Sequence, residues 1–201
     1  MKLYYSKGAC SLGVRIIINE LGLSSEYESV NLKTKKTGSG ADFLTVNPKG
    51  AVPTLVTNDN HILTENSAIQ QYLADSQHAN HLLPPVNDFK RYQVIEWLSY
   101  ISSDLHKSCG PFFNPTLSQD MKDNFFKPML TKKIDYIENK LGKNVFLMGE
   151  QFTLPDAYLF VILSWFPKLG LDIQNWPNLV RYFDNLKNRK SIQQSLKEEA
   201  A

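Results

Sequence analysis

The chain has 201 residues and a mass of 22.9 kDa, enough for one ordinary domain or two small domains packed together. Its 42% hydrophobic and 21% charged residues are normal for a globular protein and exclude a disordered or fibrous chain. With 22 basic and 20 acidic residues, the net charge of +2 excludes a nucleic-acid binder that works by charge alone.

The first 80 residues alternate predicted strands and helices. Lys2 to Tyr5 predicts a strand, and apolar residues at helical spacing predict a helix from Ser11 to Leu21. The further elements are a strand at 27–32, a hairpin of strands 54–57 and 61–63, and a helix at 68–74. The crossover requires a parallel strand pair and the hairpin an antiparallel one, so the predicted sheet is mixed and four-stranded.

Turn-forming residues around Pro84-Pro85 predict a linker at 79–89, and the rest of the chain has helical patterns. The candidate helices are 90–107, 118–141, 154–169, 178–187 and a short terminal piece. We expect Cys109 to lie just after the end of the helix predicted at 90–107. The sequence therefore predicts an α/β domain at 1–80 followed by an all-α domain at 88–201.

Cys10 lies in the loop after the first strand, immediately before a predicted helix. A thiol there faces the positive end of the helix dipole, which predicts a pKa below the free value of about 8.5. The alternative is a packed, inert cysteine. Gly13 stands where a thioredoxin-like domain would carry its second cysteine, so an internal dithiol cycle is excluded at this site.

Two further segments suit a peptide-like ligand with charged ends. Val52 before Pro53 favours extended backbone at an open strand edge, where a ligand backbone can pair; the alternative is an ordinary loop. At a strand-to-helix junction, Asn66 and Ser67 can donate to a ligand carboxylate while Glu65 accepts from an ammonium. Simple helix capping is the alternative, although it gives no reason for Glu65.

Ser99, Ser103 and His106 share one polar face of the helix predicted at 90–107. This face could line a cleft between the domains, whereas the alternative is a solvated surface bearing a histidine. Thr153 and Asp156 form a helix-capping pattern, which we assign to folding. The other histidines have no third ligand nearby, and we expect no metal site.

Six segments, in register over about 150 residues, resemble the glutathione S-transferases, most closely the bacterial beta class. The segments are Gly8-Ala9-Cys10-Ser11-Leu12, Asn47-Pro48-Lys49-Gly50-x-Val52-Pro53, Leu63-Thr64-Glu65, Gln71-Tyr72-Leu73-Ala74-Asp75, Ile95-Glu96-Trp97-Leu98 through Leu105-His106-Lys107, and Phe152-Thr153-x-x-Asp156-Ala157-Tyr158. The resemblance implies a thioredoxin-like N-terminal domain, a helical C-terminal domain, a homodimer and a cleft that binds glutathione as a co-substrate.

The resemblance also implies roles for individual residues. Cys10 and His106 are the implied catalytic residues at the glutathione sulfur. The implied glutathione-binding residues are these two with Lys35 at the glycyl end, Val52 at the cysteinyl part, Glu65 and Asn66 at the γ-glutamyl end, and Ser99, Ser103, Asp104 and Leu105, with Asp104 reaching across the dimer. Asn66 stands where relatives usually have a small or hydroxyl residue, and Ser99 where close relatives often have Asn.

We therefore expect a detoxifying glutathione S-transferase that conjugates the thiolate to small hydrophobic electrophiles. Phe112, Phe113 and Trp165 are the expected wall of the electrophile site. One alternative is a glutathione-dependent thiol–disulfide reductase in which Cys10 attacks a disulfide. Another is a glutathione-binding protein of the same fold without turnover.

The location of the protein is predicted from its N-terminus and its cysteines. No apolar stretch follows a basic start, so we expect no signal peptide, and the longest apolar run, 157–166, is too short to span a membrane. Two cysteines are too few for a disulfide framework. We expect a cytoplasmic protein with reduced cysteines and with neither nucleic-acid nor membrane partners.

Overall fold

A computed structural model describes residues 1–200. Five strands form one mixed sheet in the order β3-β2-β1-β4-β5. Their bounds are β1 Lys2–Tyr5, β2 Glu26–Asn31, β3 Lys36–Thr37, β4 Thr54–Val56 and β5 Ile62–Thr64. In the central strand, Leu3 lies opposite Tyr27 in the parallel pair β1–β2 and opposite Leu55 in the antiparallel pair β1–β4.

The predicted mixed sheet is confirmed, but the predicted number of four strands is wrong. The additional strand, β3, is only two residues long and pairs antiparallel with β2. Lys36 and Thr37 are too few to show the alternation of apolar and polar residues by which a strand is predicted. Very short edge strands are common in native sheets, where they limit pairing with other chains.

Two helices, α1 Ser11–Glu20 and α2 Asn66–Ser76, pack beside each other and the sheet. Gly13 permits this approach, because a Cβ there would lie 3.3 Å from the Gln70 amide nitrogen and 3.4 Å from that of Asn66. The position that lacks the second cysteine of a dithiol motif is thus a contact point between helices. This packing brings the N-termini of α1 and α2 together.

Seven helices make up the second half: α3 Phe89–Tyr100, α4 Lys107–Phe113, α5 Gln119–Met121, α6 Lys127–Leu141, α7 Leu154–Ser164, α8 Pro177–Lys187 and α9 Lys190–Ala200. Every residue of α7 from Leu154 to Leu163 is buried, so this helix is the core of the helical half. The predicted capping box is present: Asp156 accepts from the Thr153 N–H at 2.7 Å. Within residues 1–200, no helix is both long and apolar enough to cross a membrane.

A π-helical turn, Ile101–His106, joins α3 to α4 without a break. The helix predicted to end at Lys107 therefore continues to Phe113, through Gly110 and Pro111. The prediction that Cys109 follows a helix end is wrong, because Cys109 is inside α4, fully buried, and its Sγ donates to the Leu105 carbonyl at 3.3 Å. Burial of this face outweighs the helix-breaking tendency of the Gly-Pro pair.

The last helix, α9, returns to pack against α1. Arg15 of α1 is 2% exposed and lies between the rings of Tyr5 and Tyr27, at 4.5 and 3.7 Å from their centroids. The Arg15 guanidinium also lies 3.4 Å from the Glu198 carboxylate of α9. The C-terminal helix is therefore anchored through a buried cation to the helix that begins next to Cys10.

Candidate active site

A cleft of about 1080 Å³ opens between the sheet half and the helical half of the chain. Its size suits a ligand of several hundred daltons. The N-termini of α1 and α2 border it on one side, and the π-helical turn with α4 and the segment after α7 border it on the other. Of the predicted glutathione-binding residues, the cleft brings together Cys10, Lys35, Val52, Glu65, Asn66 and His106.

Cys10 immediately precedes α1, as predicted, but its thiol is not acidic. Burial raises the pKa of Cys10 to about 11, against the smaller opposing effect of nearby hydrogen-bond donors. The expectation of a lowered pKa is wrong, because desolvation of a thiolate here outweighs the helix terminus. At neutral pH the group is a thiol, and its Sγ donates to the Val52 carbonyl at 3.4 Å.

The loop before Cys10 is held on both sides by the helical half. The Gly8 N–H donates to Glu199 Oε2 at 2.9 Å, and the Gly8 carbonyl accepts from Trp165 Nε1 at 2.8 Å. Gly8 has a φ of +70°, a conformation that favours glycine. Both contacts join residues more than 150 positions apart, and they fix the entry to the Cys10 position.

The Val52–Pro53 peptide bond is cis. Asn47 holds this loop by donating from Nδ2 to the Ala51 carbonyl at 2.9 Å and to Thr54 Oγ1 at 3.0 Å. Among residues 1–200, the Val52 N–H has no hydrogen-bond partner. Because Val52 lines the cleft, an unpaired backbone donor is present where a peptide-like ligand can use it.

Glu65 and Asn66 lie at the start of α2. Glu65 is exposed, has a φ of +70°, and its carboxylate accepts from Lys49 Nζ at 2.8 Å. Asn66 is buried: its Nδ2 donates to the Cys10 carbonyl and its Oδ1 accepts from Gln70. Because the amide of Asn66 is committed to joining α1 and α2, an anion at this place would bind the first backbone N–H groups of α2.

In another part of the cleft, the side chain of Lys35 packs against the backbone of Gly50. Its Nζ donates to the Gly50 carbonyl at 2.7 Å, and its side-chain carbons lie 3.1 Å from where a Cβ of Gly50 would be. Gly50 has a φ of +61°, so both space and conformation favour glycine. The ammonium is partly exposed and available to a ligand carboxylate.

His106 faces the cleft from the π-helical turn. Its Nδ1 is 2.7 Å from the hydroxyl of Tyr158, a residue that the motif analysis did not single out for the site. Burial, followed by the charge of Lys107, lowers the pKa of His106, whereas burial raises the pKa of Tyr158. The phenol therefore keeps its proton and can donate to Nδ1, which leaves the proton of the neutral imidazole on Nε2.

The polar face predicted from Ser99, Ser103 and His106 does not line the cleft as a unit. Ser99 and Ser103 are exposed outside it, Asp104 lies 3.6 Å from Lys133 Nζ, and Leu105 is fully buried. A π turn advances through a smaller angle per residue than an α-helix, so residues before it rotate relative to His106. Placement at the regular helical angle is therefore wrong for Ser99 and Ser103, and Ser102 lines the cleft with His106.

Two of the three residues expected for the apolar wall line the cleft. The rings of Phe113 and Trp165 meet at 5.6 Å, and Trp165 also lies 5.0 Å from the His106 ring. Phe112 packs against the hydrophobic core, so the expectation for this residue is wrong. Pro111 and Tyr158 also line the cleft and were missed, because only the continued helix and its tertiary contacts bring them there.

Two family models match the chain. The one described as glutathione S-transferase, N-terminal domain, matches residues 8–76, and the one described as glutathione S-transferase, C-terminal domain, matches residues 110–190. Among curated proteins, glutathione S-transferase GstA of Escherichia coli O157:H7 is 39% identical over 199 residues, covering 99% of this chain and 98% of the relative.

Solved structures of glutathione S-transferases superpose on this chain over its full length. The ternary complex of BphK, a bacterial GST, superposes with a TM-score of 0.96 at 41% identity, covering 100% of both chains. The bacterial beta class glutathione S-transferase of Sphingomonas chungbukensis superposes with a TM-score of 0.94 at 37% identity, covering 99% of this chain and 98% of that one. The resemblance found in the six sequence segments therefore extends to the whole fold.

Proposed function

This chain belongs to the glutathione S-transferase family and is a glutathione transferase; we propose that it joins the glutathione sulfur to electrophiles in the cleft between its two halves. The observation that carries the proposal is the convergence of Cys10, Val52, Glu65 and His106 on one cleft. Each offers a group that a thiol-containing peptide with charged ends can use.

We propose that glutathione lies along the loop containing Val52. The unpaired Val52 N–H binds the cysteinyl part, Lys35 pairs with the glycyl carboxylate, and Glu65 accepts from the γ-glutamyl ammonium. The γ-glutamyl carboxylate takes the first N–H groups of α2 at Asn66, whose side chain stays with Cys10 and Gln70. Lys49 pairs with the Glu65 carboxylate in this structure, so the ligand ammonium either shares this carboxylate with Lys49 or replaces Lys49.

The chemistry requires the glutathione thiol to lose its proton before its sulfur attacks an electrophilic carbon. We propose that the N–H groups at the start of α1, the Cys10 thiol and the Nε2–H of His106 donate to the thiolate. Each lowering of the thiol pKa by one unit corresponds to about 1.4 kcal/mol. With an aryl halide, the new sulfur–carbon bond replaces the carbon–halogen bond, the halide leaves with the bonding electrons, and the thiol proton reaches solvent.

The geometry does not favour a disulfide reductase that depends on Cys10 as its nucleophile. Burial raises the pKa of the Cys10 thiol to about 11, so the thiol form predominates at pH 7. Since the thiolate is the species that attacks a disulfide, such a cysteine is a slow nucleophile in the free enzyme. We assign Cys10 the role of hydrogen-bond donor.

We further propose a homodimer that works in the cytoplasm. Exposed Tyr92 on α3 and Met129 and Tyr136 on α6 supply apolar surface for a second copy. Ser99, Ser103 and Asp104, which lie outside the cleft of their own chain, are the proposed contributors at that interface. Sedimentation equilibrium would show twice the mass of one chain, and Tyr92→Lys should lower that mass toward one chain.

The proposed location in the cytoplasm is supported by the two free cysteines, because thiols stay reduced there.

The function is tested by retention on immobilised glutathione followed by two assays, conjugation of an aryl halide and reduction of a mixed disulfide. The wild type is expected to be retained and to conjugate. Glu65→Gln should weaken glutathione binding about tenfold through the lost charge, whereas Glu150→Gln, an exposed carboxylate elsewhere, should not. No retention together with no conjugation would contradict the proposal.

A further inference from the structure

Two lysines line the cleft close in the chain to residues of its aromatic side. Lys107 directly follows His106 in the chain, and Lys168 lies one 3₁₀ turn after Trp165, with its N–H donating to the Trp165 carbonyl at 2.8 Å. The Lys168 Nζ is 3.9 Å from where a Cβ of Gly8 would lie, which places it beside the loop that leads to Cys10. Both lysines line the cleft and are exposed.

The charges of the cleft are strongly unequal. Five lysines line it, and the single carboxylate among its lining residues is Glu65, which already pairs with Lys49. Lys35 and Lys7 donate to the carbonyls of Gly50 and Ala200. Lys107 and Lys168 differ from these three, because neither ammonium has a hydrogen bond or an ion pair with any residue from 1 to 200.

Glutathione does not account for these two groups. In the proposed binding mode its glycyl carboxylate pairs with Lys35, and its γ-glutamyl carboxylate lies at the start of α2. Lys107 and Lys168 instead follow His106 and Trp165 closely in the chain, and they line the same cleft as the His106, Trp165 and Phe113 rings, where the second substrate would lie. An apolar wall and two unpaired cations in one cleft fit a flat molecule that carries a negative charge.

We propose that the second substrate of this enzyme is an aromatic or conjugated electrophile that carries a carboxylate. This rests on the proposed transferase function and replaces the small hydrophobic electrophile expected from the sequence. The conjugated part packs on Trp165 and Phe113, and the carboxylate pairs with Lys107 and Lys168. The carboxylate is a recognition group that the reaction leaves unchanged, while sulfur bonds to the electrophilic carbon and the leaving group departs with its electrons.

The test compares two probes of one shape, 4-chloro-3-nitrobenzoate and 4-chloro-3-nitrobenzamide, with glutathione. For each, kcat/KM is divided by the rate constant of the uncatalysed reaction, and the measured quantity is the ratio of benzoate to benzamide. An ion pair with exposed lysines predicts a ratio of about 2 to 5 in the wild type, falling as salt is added. Lys107→Gln/Lys168→Gln should bring the ratio to about 1, and Lys168→Arg should preserve it.

Two features keep the result specific. Lys107 adjoins His106, so its loss can slow both probes, but the ratio cancels any effect on the glutathione sulfur. Lys143→Gln, an exposed lysine away from the cleft, should leave the ratio at its wild-type value. An equal ratio in the wild type and the double variant would overturn the proposal.

The outcomes also separate this inference from the proposed function. If the benzamide is conjugated but the benzoate is not preferred, the transferase function stands and the anionic substrate class is wrong. If neither probe reacts and the chain is not retained on immobilised glutathione, the transferase proposal fails. In that case binding of each probe, measured by quenching of tryptophan fluorescence, still reports on the lysines: equal affinities would overturn the preference for a carboxylate.

Discussion

Cys10 experiences two opposing effects, a helix terminus that favours the thiolate and burial that favours the thiol. Burial is the larger, and the pKa of about 11 is well above that of a free cysteine. The thiol donates to the Val52 carbonyl in the present structure. It can equally donate to a sulfur anion that approaches from the cleft, which is why we assign it to binding the glutathione thiolate.

Alkylation of Cys10 by iodoacetamide tests this pKa. We expect the rate to keep rising with pH toward about 11, because only the thiolate reacts. A Cys109→Ala background leaves Cys10 as the single thiol, since the chain has two cysteines. A rate that levels off below pH 8 would show that the helix terminus dominates.

His106 is held neutral by burial and by the charge of Lys107, and its Nδ1 is paired with Tyr158. Its folded-state pKa lies below its ordinary value of about 6.5. The neutral form therefore contributes stability above pH 6.5, and that contribution is lost as pH falls through the lowered pKa. The same neutrality keeps Nε2 as a single, fixed donor over the pH range in which the enzyme would work.

We expect His106→Ala to lower kcat by about tenfold or more, with a smaller change in the Michaelis constant for glutathione. The reason is that Val52, Glu65 and the start of α2 hold the peptide independently of the sulfur. Tyr158→Phe removes the partner of Nδ1 and should cause a smaller fall in kcat. His81→Ala, an exposed histidine outside the cleft, is the control. Equal kcat in all four proteins would return His106 to a structural role.

Among the elements, α7 shows how much of this chain its sequence predicts. Thr153, Asp156 and the apolar run after them predict the start and burial of this helix, and the structure has both. Asp156 does more than the capping pattern predicts, because it also accepts from the Leu147 N–H at 2.9 Å and from the Tyr182 hydroxyl at 2.8 Å. These partners come from distant segments, which local spacing does not report.

Thr153→Ala should lower the free energy of unfolding by about 1 kcal/mol through the lost cap. Asp156→Ala should cost about 3 kcal/mol, because several buried donors lose their acceptor. Ser118→Ala removes the cap at the exposed start of the helix that runs from α5 through a π-helical segment, Lys122–Phe126, into α6. This variant is the matched control and should cost about 0.5 kcal/mol. Urea unfolding measures all three, and equal costs for Thr153 and Asp156 would contradict the larger network.

The π-helical turn at Ile101–His106 marks the limit of prediction for the site. Periodicity assumes one angle per residue along a helix, so it correctly predicts a helix here yet misplaces Ser99 and Ser103. For Cys10, Val52 and Glu65, by contrast, the sequence predicts a position in the cleft and the structure has them there. Each lies at or near a strand or helix end, which local sequence signals report. Tyr158 and Lys168 join the site only through the packing of distant elements.

Across the whole molecule, α9 connects the chain end to the site. Glu199 accepts from Gly8, lies 3.9 Å from Arg15 and is buried. Its removal would leave the Gly8 N–H without its acceptor and the buried Arg15 with less negative charge nearby. The conformation of the loop before Cys10 therefore depends on residues at the far end of the sequence.

We expect Glu199→Ala to lower the free energy of unfolding by about 2 kcal/mol and to reduce kcat. Glu199→Gln keeps an acceptor for Gly8 but loses the charge near Arg15, so it should lose stability while retaining more activity. Lys197→Ala, exposed on the same helix, should change neither quantity. A normal kcat in Glu199→Ala would show that the loop keeps its shape without this contact.

In the proposed mechanism the cleft ionises the glutathione thiol, and the ultraviolet absorbance of the bound thiolate, followed against pH, measures this ionisation. The midpoint for the wild-type complex should lie well below the ordinary thiol value of about 8.5. His106→Ala should raise that midpoint by losing one donor, and Cys10→Ala should raise it as well. A wild-type midpoint equal to that of free glutathione, unchanged in both variants, would contradict the claim.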